Sequence, residues 1–348
     1  MACRVDRRSF LKRSMAAGAA AALIRGSEES RLMAMLQNPT AAQALRAGKG
    51  DELPRGRIGD VEVSRLIAGG NIISGWCHQR DLLYVSTLAG HYLTEEKQFD
   101  TLELMEEQGI NTCSPDPSQM GFINKYKRER GGEIQTIVGI RQDWGDWDNP
   151  SWDDLREWID RSIDEGADLM YTQGGYTERL MKVGDPGRVE IIGKAIEHIR
   201  RQGLPAGLGC HDIKVIELAD KHGIVPDFYF KTFHHDGYWS AHPREHREPW
   251  SVDSTRYVDH NKFHDIIYDL FPDRTQALMA GKPQPWIAFK TLAAGAIEPK
   301  SAFEFCFKGG VDFISVGMFD FQVLEDKLIA REMLARADIV NRERPWHG

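Results

Sequence analysis

The chain of 348 residues is long enough for one large α/β domain with extra segments, and 41% hydrophobic against 28% charged residues reads as a soluble globular protein. A formal net charge of −8 without any basic stripe argues against nucleic acid as a partner. The five cysteines, Cys3, Cys77, Cys113, Cys210 and Cys306, show no CxxC or zinc-ribbon spacing, so free buried thiols are expected.

Residues 1–25 read as an export signal. Arg4, Arg7, Arg8, Lys12 and Arg13 make a basic head, and the weakly apolar run 15–24 is too short to span a bilayer as a stable helix. Asp6-Arg7-Arg8-Ser9-Phe10-Leu11-Lys12 resembles the twin-arginine consensus. That resemblance implies the twin-arginine translocation machinery as a partner, a periplasmic or exported location, and no stable membrane span in the mature protein. Residues 26–54 read as a tether or a short helix.

From there one pattern repeats: an amphipathic helix ends at a glycine and a short apolar strand follows. The glycines are Gly109, Gly166, Gly203, Gly223, Gly281 and the pair Gly309-Gly310, each placed where a helix end takes the left-handed conformation. The strands that follow span 110–113, 167–172, 206–210, 227–233, 286–290 and 311–316, and two more fit at 63–69 and 134–140. Thr94 opens a helix carrying Phe99, Leu102 and Met105; Ser151 opens another whose Trp152, Leu155, Ile159 and Ile163 form one stripe. Eight strands alternating with helices imply an α/β fold with a parallel sheet closed into a (β/α)8 TIM barrel over 55–340, with 341–348 as a tail. No G-x-G-x-x-G follows the first strand, which speaks against an open doubly wound sheet. Long loops follow strands one and six, at 75–93 and from His234 to about Pro272, on the face where barrels keep their chemistry.

The strand ends supply a polar ring for a small-molecule substrate: Asn71, Cys113, Ser114, Arg141, Gln173, His211, Lys231, His234, His235, Lys290, Met318 and Asp320. Eight of the twelve histidines fall between His211 and His264. His211 and His234 end neighbouring strands and could share a divalent metal, with His235 and Asp236 beside them; loop or substrate hydrogen bonding is the other reading. Lys231 and Lys290 sit in apolar strands, where a lysine is an imine-forming nucleophile, a base, or a charged anchor. The expected working core is His211, Lys231 and His234, with Asn71, Arg141, Gln173, Lys290, Tyr238 and Trp239 on the substrate, the last two suited to stacking on a sugar face.

Three runs resemble the aldo-keto reductase superfamily: Arg57-Ile58-Gly59-Asp60-Val61-Glu62-Val63-Ser64-Arg65-Leu66, Glu107-Gln108-Gly109-Ile110-Asn111, and Gly310-Val311-Asp312-Phe313-Ile314-Ser315-Val316-Gly317-Met318 followed by Leu324-Glu325-Asp326. The resemblance implies the barrel, and an NADP phosphate held at the last helix. The family's four catalytic positions, Asp, Tyr, Lys and His, read here as Ser114, about Gln119, Arg141 and Gln173, which removes the usual proton donor. Asp320 stands where the phosphate would be met, which speaks against NADP. Three readings stand: acid–base chemistry on a small hydroxylated or keto substrate with or without a metal, an NADP-dependent oxidoreductase with an altered catalytic set, and a non-catalytic small-molecule binding protein.

Overall fold

The computed structural model describes residues 52–348 apart from 76, 79–82, 144–146 and 251–268. The proposed signal and nearly all of the proposed tether lie outside these residues. A hairpin, β1 (Arg55–Ile58) and β2 (Val61–Ser64), precedes the barrel. Eight parallel strands then close on themselves in chain order: β3 (Leu66–Gly69), β4 (Thr112–Ser114), β5 (Gln135–Ile140), β6 (Leu169–Thr172), β7 (Ala206–Cys210), β8 (Phe228–Thr232), β9 (Trp286–Phe289) and β10 (Phe313–Val316). This is the expected (β/α)8 barrel. The predicted first strand is in fact two elements, because Arg65 separates the hairpin from β3.

The helices form where the caps and stripes place them. Thr94 accepts from the Lys97 amide and Ser151 from the Asp154 amide. Leu155 and Ile159 are fully buried against the barrel, as are Phe99, Leu102 and Met105. Five of the helix-ending glycines, Gly109 and Gly166 among them, have positive φ; Gly281 stays right-handed at φ −88° because its helix runs on into a turn at Lys282. The four cysteines from Cys77 onward are free and buried. No helix among the described residues is long and apolar enough to cross a membrane.

Strand alternation sorts the side chains into two cores. Ile67, Ile137, Leu169, Phe228, Phe230, Ile287 and Phe313 fill the barrel interior, closed below by Ile58 and Val63 of the hairpin. Their alternates, such as Met170, Leu208, Cys210, Tyr229 and Ala288, face the helices. Near the mouth, Phe230 stacks on Tyr171 at 4.2 Å and packs against Phe289 at 4.9 Å, a dry floor beneath the polar groups. At the other end Asp312 is fully buried and accepts from Arg342 and Arg344, both at 2.7 Å, and from the Trp286 and His347 amides. The segment read as a tail is therefore tied to the barrel floor.

Candidate active site

The last interior-facing position of β7 is Gly209, so alternation sends the next odd residue, His211, into the mouth. The helix Gly174–Lys182 brings Glu178 beneath it. Glu178 accepts from the His211 amide, from the Asp212 amide at 2.7 Å, and from His211 Nδ1 at 3.3 Å. Burial raises the Glu178 carboxyl, but the His211 charge and these hydrogen bonds prevail and hold it below the usual carboxylate range. Burial lowers His211, with Glu178 opposing and Lys290 and Lys231 reinforcing. Gly174 makes the approach possible: a Cβ there would stand 3.2 Å from the His211 ring and from Cys210 Cα.

Lys290 breaks the alternation. Phe289 faces the interior, so an extended Lys290 would point to the helices. Its backbone instead takes φ +55°, an expensive conformation for a side-chain-bearing residue. The amine thereby reaches His78, 3.0 Å from Nε2, and Asn71 Nδ2 lies 3.1 Å from the same atom. Burial pushes Lys290 down to about 7, with Glu178 opposing. Burial, then the charges of Lys290 and His211, drive His78 to about 2, so its ring is neutral. Asn71 is delivered by Gly70, where a Cβ would lie 1.9 Å from the Ser114 carbonyl oxygen.

Five groups from four parts of the chain thus meet at the mouth: Asn71, His78, Glu178, His211 and Lys290. Three were expected from the sequence. His78 was missed because nothing in the 75–93 segment marks it; that segment, expected as one long loop, carries a helix at Leu83–Tyr92. Glu178 was missed although a signal existed, since it shares the inward stripe of its helix with Gly174 and Met181.

The other candidates are placed differently. Lys231 lies on the outward alternate of β8, completely buried, donating to the Thr232 carbonyl at 2.7 Å, to Thr232 Oγ1 at 3.0 Å and to Asp269 Oδ1 at 3.3 Å. His234 has both ring nitrogens in the fold: Nδ1 donates to the His235 carbonyl at 2.8 Å and Nε2 accepts from the Asp269 amide at 3.1 Å. Burial holds His234 down at about 4. These two residues anchor the strand that launches the long loop. Arg141 donates from Nη2 to both carboxylate oxygens of Asp116 at 2.9 and 3.1 Å, and Gln173 caps the helix that carries Glu178. His235 meets Ser301, and Asp236 is held by Arg244 and Arg247. Among the described residues no three of His, Cys, Asp and Glu converge to hold a metal, so His211, His234, His235 and Asp236 are not brought together as a ligand set. Tyr238 lies beside His234, and Trp239 is 91% exposed rather than packed over the mouth. Tyr257 and Tyr268 of the same loop lie outside the described residues.

No protein-family model matches the chain, and no curated protein matches it either. Solved structures do. PA4992 from Pseudomonas aeruginosa, provisionally named an aldo-keto reductase, superposes with a TM-score of 0.53 at 15% identity, covering 83% of this chain and 99% of that one. An Asp-to-Ala variant of Gox0644 in complex with NADPH gives 0.52 at 11% identity, covering 84% and 93%. The barrel fold is shared with these proteins. The phosphate position that the sequence resemblance implies for NADP does not fit the residues present. At the helix Asp320–Leu334 the Phe319 amide is taken by Gln322 Oε1 at 3.0 Å, and the Asp320 carboxylate stands in the first turn, held by Lys97 at 2.9 Å and by the Tyr92 hydroxyl. A phosphate there would meet a carboxylate.

Proposed function

We propose that this chain is an exported barrel enzyme that moves protons on a small hydroxylated or keto substrate. The observation that carries the reading is the convergence of the His211–Glu178 pair with Lys290 and His78 above an apolar floor. Glu178 fixes the His211 ring at Nδ1, as a carboxylate orients a proton-transferring histidine elsewhere. A proton taken from a carbon next to a carbonyl leaves negative charge on the oxygen, and Lys290 stands where it can answer that charge. The polar ring around it, Asn71 included, suits hydroxyl groups. The barrel-type relatives support the scaffold, and the twin-arginine-like leader supports export.

The test is solvent exchange in heavy water. Small ketoses, hydroxyketones and 2-keto acids are incubated with the protein and deuterium at the α-carbon is read by NMR. Incorporation should fall at least about a hundredfold in His211→Ala and in Glu178→Gln. No incorporation into any of these compounds, or incorporation indifferent to both substitutions, overturns the reading.

A further inference from the structure

The geometry points to Lys290 as a nucleophile that joins an aldehyde or ketone substrate through an imine. This rests on the carbonyl-substrate reading above and replaces the charge-answering role given there to Lys290 with a covalent one. Three observations place the amine for that role. The left-handed backbone at Lys290 turns the side chain out of the helix layer and into the mouth against the alternation of β9, and a strained conformation persists only where its surroundings enforce it. The amine lies 3.0 Å from the imidazole nitrogen His78 Nε2. The His211–Glu178 pair is close by, the His211 ring 5.2 Å from the ring of Phe289, the residue before Lys290.

In the step proposed, the Lys290 lone pair forms the C–N bond as the carbonyl π pair moves to oxygen. The nitrogen gives up two protons and the oxygen takes two, leaving as water while the C=N bond forms. His211, backed by Glu178, is the group that hands protons from nitrogen to oxygen. No oxidant or reductant is needed. A lowered lysine pKa is consistent with this, since the neutral amine is the reacting form.

The test uses acetylacetone as the probe on the full-length protein. Its condensation with an amine loses water and gives a conjugated enaminone, seen by near-ultraviolet absorbance and located by peptide mass spectrometry. One adduct per chain on the peptide carrying Lys290 is expected, formed faster as pH rises through about 7. The adduct should vanish in Lys290→Arg, which keeps the charge. Adducts scattered over exposed lysines, or Lys290 unmodified in the folded parent protein, overturn the proposal, and the second outcome holds even if the arginine variant does not fold. Deuterium exchange that depends on His211 without a Lys290 adduct sinks the imine and leaves the proton-transfer reading. An adduct without exchange does the reverse.

Discussion

Replacing Lys290 with methionine should stabilise the fold while removing the reactive amine. A fall from the ordinary lysine value of 10.5 to about 7 corresponds to on the order of 5 kcal/mol against the charged form in the folded protein. The side chain keeps part of its surface at the mouth, so solvent screening brings this to about 2–3 kcal/mol. Loss of the hydrogen bond to His78 subtracts about 1 kcal/mol. The left-handed backbone strain is the same for both residues and cancels. A net gain of about 1–2 kcal/mol is expected at pH 6, where the parent carries the buried charge. Between about 7 and 10.5 the unfolded chain binds a proton that the folded chain has shed, so parent stability rises with pH. The advantage of the methionine variant should therefore be nearly gone by pH 9 and turn into a deficit of about 1 kcal/mol above about pH 10.5, where only the lost hydrogen bond remains. Urea unfolding of both proteins at pH 6 and pH 9 measures it. A variant less stable than the parent at pH 6, or a gap that does not narrow by pH 9, refutes the reasoning.

Changing Arg7 and Arg8 together to Lys should leave the precursor in the cytoplasm, because twin-arginine transport reads that pair; normal accumulation in the periplasm, followed by fractionation and blotting, would argue the signal away. NADPH should bind poorly, given Asp320 at the helix N-terminus, and a nicotinamide fluorescence titration saturating at micromolar concentrations contradicts this. Lys231→Met should lose about 3–5 kcal/mol in urea unfolding by stranding the buried Asp269 carboxylate, and adding Asp269→Leu should recover most of it; a single variant as stable as the parent removes the anchoring role assigned to the pair.

The sequence alone determined the barrel and most of its boundaries. Glycine after a helix, then a short apolar strand, is a local signal repeated along the chain, and local signals survive without tertiary information. It also marked His211, Asn71 and Lys290 as lying at strand ends. What it left undecided was which way each side chain turns. Lys231 and Lys290 look alike in sequence, each a lysine within an apolar strand. Phe228 and Phe230 face the barrel interior, which sends Lys231 outward to Asp269, a residue 38 positions on. The same rule would send Lys290 outward too, and only its positive φ reverses it. Glu178 and His78 reach the site from a helix and a loop with no strand-end signal at all. Direction at the mouth is set by the closure of the sheet and by backbone conformation at single residues, and those are properties of the assembled barrel rather than of any run of amino acids.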